Sequence, residues 1–213
     1  MSETLSLIAE SLYNGDVEKV TSLIKDALQQ GIPPEDVLHD GLMSGMEHVG
    51  KDFKCGDLFI PEVLIAARAM HAGMDLLRPH LSQTSAAYSG KYVIGTVKGD
   101  LHDIGKSLVK LMLEGAGFTG VDLGTDVSPE NFMNAVRENK PDIVAMSALL
   151  TTTMTEMKNV IEALEDANLR QSVKIMVGGA PVTQGYAREI GADGYAPDAA
   201  HAVDIAHSLV RKS

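Results

Sequence analysis

Asp100 and His102 stand two residues apart in the run Val97-Lys98-Gly99-Asp100-Leu101-His102-Asp103-Ile104-Gly105-Lys106. Such a pair can serve a metal: the imidazole ligates through one nitrogen while the carboxylate holds the other, fixing the tautomer and strengthening the ligand. The same residues read equally as a helix start, with Asp100 or Asp103 as the cap and His102 as an ordinary loop histidine. One histidine with no cysteine or histidine beside it is too few for a protein-only zinc site, so a metal at His102 would need a cofactor to supply its other ligands. A second polar run, Ser147-Ala148-Leu149-Leu150-Thr151-Thr152-Thr153, carries hydroxyls that can bond a ligand's polar edge or cap the following helix. In a third, Val177-Gly178-Gly179-Ala180-Pro181, paired glycines allow close backbone approach to a bulky group and free amides for a phosphate, or simply form a turn.

The elements that carry these runs set their meaning. Each run follows a short apolar segment, and the strand candidates are Tyr92–Val97, Phe118–Leu123, Ile143–Met146, Val173–Val177 and Gly194–Ala196, with amphipathic stretches between them. Buried strands alternating with helices indicate βαβ units in a parallel, doubly wound sheet, whose ligands sit beyond the carboxyl ends of the strands. From Leu5 to about Leu81 the apolar residues instead recur at helical spacing, broken at Asn14-Gly15-Asp16, Gly31, Pro33-Pro34-Glu35 and Ile60-Pro61-Glu62. Four helices with short connections follow, which favours antiparallel neighbours. The small, polar stretch Ser82–Gly90 has the composition of a linker, so the expected domains are residues 1–85 and 90–213.

Composition excludes several classes. The 213 residues are 45% hydrophobic and 22% charged, as in folded globular proteins. Eighteen Lys and Arg against 29 Asp and Glu give a formal charge of −11 with no basic cluster, which argues against nucleic acid or an acidic membrane surface as partner. Cys55 is the only cysteine, so there is no intrachain disulfide, and a cytoplasmic setting is expected. No apolar run approaches the roughly 20 residues of a membrane span, and Met1–Glu10 lacks the pattern of a signal peptide. Gly115-Ala116-Gly117-Phe118-Thr119-Gly120 matches G-x-G-x-x-G, but it leaves a helix and enters a strand, the reverse of the dinucleotide-binding context, and reads as a helix end and turn. Most methionines read as core, and His39, His48, His71 and His80 lack a metal spacing.

Taken together, Asp100, His102 and Gly105, then Ser147 and Leu149, then Gly178-Gly179, resemble the fingerprint of the cobalamin-binding domains of methionine synthase and the methyl-carrying corrinoid proteins. The intervals suit that pattern, with 41 residues between Gly105 and Ser147 and 28 between Leu149 and Gly178. Gly45-Met46-Glu47-His48-Val49-Gly50, Phe53 and Gly56-Asp57-Leu58-Phe59-Ile60-Pro61-Glu62-Val63 look like the helical cap of those proteins. The resemblance implies a four-helix bundle cap followed by a Rossmann-like, flavodoxin-like five-stranded parallel sheet. It implies cobalamin or a related corrinoid bound base-off and His-on, with His102 as lower axial ligand of cobalt. Asp100 would bond His102, and Thr153, where methionine synthase has a serine, would complete a proton relay. Ser147, Leu149 and Thr151 would line the nucleotide tail or corrin, Gly178 and Gly179 would admit the tail, and Asp103, Ile104 and Gly105 join the cofactor-binding set. Phe59 would shield the upper face of cobalt, or else serve as a core aromatic of the bundle.

The function so implied is a corrinoid subunit, not catalytic by itself, of a multi-component methyltransferase system. Co(I) would take a methyl group on a substrate:corrinoid methyltransferase, and methyl-Co(III) would give it to a thiol or tetrahydropterin on a corrinoid:acceptor methyltransferase. A reductive activation protein is a third implied partner. Two other classes share the binding domain, a cobalamin-dependent sensor and a detached subunit of a carbon-skeleton mutase. The first lacks a visible output domain here and the second fits the helical half less well. The methyl donor, among methanol, methylamines, betaines and aryl methyl ethers, is not legible in the sequence.

Overall fold

A computed structural model describes residues 3–81 and 89–210. The proposed linker, apart from Ser89 and Gly90, lies outside the described residues. The chain divides into two compact units, one formed by the helices before residue 82 and the other by the sheet and its helices from residue 89 onward.

The helical unit begins with α1 (Glu3–Tyr13) and α2 (Val17–Gln29). Asp16 caps α2, its side chain accepting from the Lys19 N–H at 3.0 Å. The third helix, α3, runs over 34–55 and is composite: Pro34–Asp36 and Ser44–Cys55 are α-helical, and the π-helical turns Val37–Met43 join them. Pro34 starts it, where a missing N–H costs nothing, and Gly56 ends it with φ +83°. The fourth, α4 (Ile60–Leu77), has a proline in its first turn, and Glu62 Oε2 accepts the Phe59 N–H at 3.0 Å. Four helices were expected here, and the described residues form four. Leu5, Ile8 and Leu12, Val20 and Ile24, Leu38, Leu42 and Val49, and Val63, Ala66 and Met70 lie three, four or seven residues apart along their helices and are buried together. Gly73 lets α4 approach α2 and α3, because a Cβ there would stand 2.9 Å from both Ile24 Cδ1 and Leu42 Cδ2.

The sheet unit alternates β1 (Gly90–Thr96), α5 (Ile104–Gly115), β2 (Phe118–Asp122), α6 (Pro129–Asn139), β3 (Ile143–Ser147), α7 (Glu156–Asp166), β4 (Lys174–Gly178), α8 (Gln184–Glu189), β5 (Gly194–Ala196) and α9 (Ala199–Val210). All five strands are parallel, in the order β2-β1-β3-β4-β5. This is the doubly wound, flavodoxin-like arrangement, and β1 with β3 forms its switch point, where successive crossovers leave to opposite sides. Val144, Met146, Ile175 and Val177 of the central strands are buried against Phe132, Ala135 and Val136 of α6 and Met157, Val160, Ile161 and Leu164 of α7. Their burial explains the continuous apolar runs of the strands. The glycine run at 115–120 is a helix end and turn, with Gly117 at φ +83° leading into β2.

Register decides what the fold offers at its carboxyl edge. Thr96 lies opposite Ser147, and Ser147 opposite Gly178, so the three polar runs leave the sheet from adjacent points in one row.

Candidate functional site

The Asp100 side chain is fully buried at the switch point and has four hydrogen-bond donors. Oδ1 accepts from the backbone N–H of His102 at 3.0 Å and faces its ring Nδ1 at 2.7 Å. Oδ2 accepts from the Leu149 N–H at 2.7 Å and the Thr153 hydroxyl at 2.6 Å. Burial alone would push this carboxyl up. The bonds from Thr153, Leu149 and His102 outweigh it and hold Asp100 well below the usual carboxylate range. The contact with an ionised Asp100 makes Nδ1 the donor nitrogen of His102, so Nε2 is the ring nitrogen left for another partner. The His102 side chain is half exposed.

The loop under His102 is itself tied down. The Thr96 hydroxyl donates to the His102 carbonyl at 2.9 Å. Asp126, held at φ +55°, accepts the Gly99 N–H at 2.7 Å and donates its own N–H to the Asp100 carbonyl at 3.0 Å. Asp100 is therefore no helix cap. Asp103, just before α5, pairs with Lys106 at 2.8 Å and accepts from the Ser107 hydroxyl at 3.1 Å.

The other predicted residues fall as follows. Ile104 and Gly105 open α5, and Ile104 is strongly exposed. Ser147 ends β3, and Thr151 is exposed on the turns before α7; that helix begins at Glu156, so neither caps it. Leu149 enters the site through its backbone N–H, while its side chain stays exposed. Gly178 ends β4, and Gly179 follows at φ +127° with the Ala148 carbonyl where a Cβ would go. The site thus brings together Asp100, His102, Leu149 and Thr153, with Gly178 and Gly179 leaving the neighbouring strand. Phe59 belongs to the helical unit, where it is 67% exposed and so is not a core aromatic. His39, His48, His71 and His80 are exposed.

Sequence reasoning missed Thr96, Lys106, Asp122 and Asp126, along with the Leu149 amide. An amide carries no sequence signal, and the pairing of Lys106 with Asp122 and of Asp126 with Gly99 arises only in the folded sheet.

Among the described residues no three His, Cys, Asp or Glu side chains are grouped to hold a metal ion, so a metal at His102 would depend on ligands from its cofactor. Leu101, Leu149 and Leu150 are exposed on the two loops that build the site, and Ile104 is exposed at the start of α5. A half-exposed imidazole, a buried carboxylate bonded to it and exposed apolar side chains nearby in the chain suit a flat, largely apolar ring that carries its own metal.

Fold and loop chemistry thus define a doubly wound domain that holds the His102 imidazole at the carboxyl edge of its sheet. The B12 binding domain family matches residues 90–204, and a second family of the same description matches residues 5–78. The chain is similar to Trimethylamine corrinoid protein 2 of Methanosarcina acetivorans, at 45% identity covering 98% of this chain and 97% of that one. It is similar to a corrinoid protein of Desulfitobacterium hafniense, at 40% identity covering 98% of each. Its structure resembles that of the methanol:cobalamin methyltransferase complex MtaBC from Methanosarcina barkeri, with TM-score 0.89 and 31% identity, covering 100% of this chain and 81% of that one. The chain belongs to the B12-binding corrinoid proteins.

Among the described residues no helix is long and apolar enough to cross a membrane.

Proposed function

We propose that this protein is a methyl carrier: it holds cobalamin or a related corrinoid base-off and His-on, and shuttles a methyl group between two methyltransferases. The observation that carries this reading is the Asp100–His102 pair, with Nδ1 of a half-exposed imidazole held at 2.7 Å by a buried carboxylate. When bound, the corrinoid supplies a cobalt centre that gains a methyl group as Co(I) and yields it from Co(III). The protein's own work is to ligate, to manage a proton and to keep out water. His102 Nε2 is the axial donor. Asp100 keeps its proton on Nδ1, and Thr153 holds Asp100 from the far side. Ser147, Leu149 and Thr151 line the tail or corrin, Gly178 and Gly179 admit the tail, and Asp103, Ile104 and Gly105 border the ring. Residues 90–213 are the cofactor domain, and residues 1–85 are the cap, with Phe59 as its shielding aromatic.

The chain alone is not a catalyst of methyl transfer. Its partners are a substrate:corrinoid methyltransferase, a corrinoid:acceptor methyltransferase and a reductive activation protein, all in the cytoplasm. Methylated amines are the favoured donors, because relatives named for trimethylamine and dimethylamine are 45% and 43% identical to this chain.

Reconstitution with hydroxocobalamin, reduction by titanium(III) citrate and addition of methyl iodide test the reading by absorbance. Stoichiometric uptake, a Co(I) band and its conversion by methyl iodide support it. A folded protein that retains no corrinoid defeats it. His102→Ala should keep the fold and lose the nitrogen coupling of protein imidazole in the Co(II) resonance spectrum; unchanged coupling would defeat the axial assignment.

A further inference from the structure

Lys106 is a buried cation without a task in the carrier reading. Its side chain is 1% exposed. It also sits in the first turn of α5, where the helix dipole disfavours positive charge. Two carboxylates offset both penalties: Asp103 Oδ1 lies 2.8 Å from Nζ, and Asp122 Oδ1, at the end of β2, lies 2.5 Å from it. Lys110 Nζ is a further 3.9 Å neighbour of Asp122 Oδ2. Burial pulls the Lys106 ammonium toward losing its proton, but the bonds to Asp103 and Asp122 more than reverse this, so it is charged at neutral pH.

Buried ion pairs are weak devices for stability, because desolvation consumes much of their attraction and well-packed apolar side chains often serve as well. What this pair does is geometric. Asp103 is the residue after His102, so Lys106 anchors the His102 loop at its outgoing end. Asp122 Oδ1 also accepts the Gly124 N–H at 2.9 Å, and the Gly124 carbonyl accepts the Thr96 N–H at 3.0 Å. The Thr96 hydroxyl then donates to the His102 carbonyl at 2.9 Å. Apart from the bond of its N–H to Asp100, the two holds on the His102 segment, through the Thr96 hydroxyl and through Asp103, both lead back to Asp122.

We infer that Lys106 and Asp122 are positioning residues for His102: their buried ion pair sets where the imidazole's backbone stands, and with it the reach of Nε2 toward an axial partner. The inference rests on the reading of His102 as axial ligand.

The test compares wild type, Lys106→Met, Asp122→Asn and the double variant K106M/D122N, with H102A as reference. Methionine keeps the aliphatic stem without the charge, and the double variant leaves no carboxylate unpaired at Asp122. Two measurements are made on each: amide hydrogen exchange of the apo protein, and the nitrogen-coupled fraction of the Co(II) resonance after cobalamin loading. The expected result is exchange at the His102 and Gly99 amides at least tenfold faster than in wild type, with Val144 and Ile175 unchanged. The coupled fraction should fall by half or more. The double variant should recover urea resistance relative to K106M without recovering either signal. Wild-type loop exchange and coupling in variants that differ only in urea midpoint would overturn the inference and leave the pair a structural one. If wild type itself shows no coupling, the axial reading fails separately, and loop exchange alone decides whether Lys106 positions the loop. Should K106M not fold, D122N, which preserves shape, decides on the same two measurements.

Discussion

Asp100 and Thr153 are 53 residues apart in the chain and 2.6 Å apart in the fold. The meeting is a consequence of strand order: β1 and β3 are hydrogen-bonded neighbours with Thr96 opposite Ser147, so the loops that follow them start side by side. One buried carboxylate then serves two loops, Oδ1 facing His102 and Oδ2 facing Leu149 and Thr153. The imidazole is oriented from its own loop, and the carboxylate that orients it is held from the other.

Thr153 therefore acts through its hydroxyl, and its methyl is incidental packing. Thr153→Ser keeps the donor and gives up one largely buried methyl, worth about 0.8 kcal/mol. Thr153→Val keeps the shape and leaves an ionised, buried Oδ2 one bond short, a loss of roughly 1.5–3 kcal/mol. Urea unfolding of the apo protein at neutral pH should rank wild type, Ser and Val in that order of falling stability. A valine variant as stable as the serine one would show that the bond to Asp100 carries no weight.

Much of this fold was legible in the sequence because its signals are local. Helical spacing and the prolines at Pro34 and Pro61 mark two of the helix starts, and buried apolar runs followed by polar ones mark β1, β3 and β4. The π-helical turns at Val37–Met43 left no mark, since Val37, Leu38, Gly41 and Leu42 keep to a buried side that α-helical spacing also allows. In the site, Asp100 and His102 declared themselves by their spacing of two. Leu149 did not, because what it contributes is a main-chain N–H. Nor did Lys106, on α5, whose partner Asp122 lies 16 residues away at the end of β2.

Acid should expose the weight of Asp100. Burial opposes its ionisation, and the donors Thr153, Leu149 and His102 more than compensate, so its folded-state value lies below the ordinary 3.8. A depressed carboxyl contributes stability that is full above its unfolded value and disappears as pH falls toward its folded one. Asp100→Asn should accordingly be about 2–3 kcal/mol less stable than wild type at pH 7, the scale of hydrogen bonds to a buried charge. The gap should narrow below about pH 4 as wild type alone loses this contribution. Urea midpoints of the two apo proteins between pH 7 and pH 2.5 measure it, and a constant gap would contradict the assignment.

Gly179 is required by the apo fold itself. At φ +127° a side chain is strained, and its Cβ would run onto the carbonyl of Ala148, the residue before Leu149. Gly179→Ala should cost at least about 2 kcal/mol, given 1–3 kcal/mol for the backbone conformation alone and a further displacement of the β3 loop. Because that loop carries the Leu149 N–H to Asp100, the variant should also accelerate amide exchange at Leu149. Unchanged exchange there would mean that the clash is absorbed without moving the loop.

Gly105 presents the opposite case. It lies in the first turn of α5, and a Cβ built on it meets nothing within 4 Å. The fold gives no reason for glycine, which costs a helix roughly 0.5–1 kcal/mol relative to alanine. If residue 105 borders the corrin as proposed, the reason lies in the ligand: a ring must come closer than a methyl group permits. Gly105→Ala should then separate the two quantities, leaving the apo protein unchanged or more stable by up to about 0.5–1 kcal/mol while weakening hydroxocobalamin retention. Urea unfolding without cofactor and equilibrium dialysis with it supply both numbers. An alanine variant that gains stability and binds corrinoid as tightly as wild type would remove Gly105 from the site and move the ring's edge elsewhere along the strand ends.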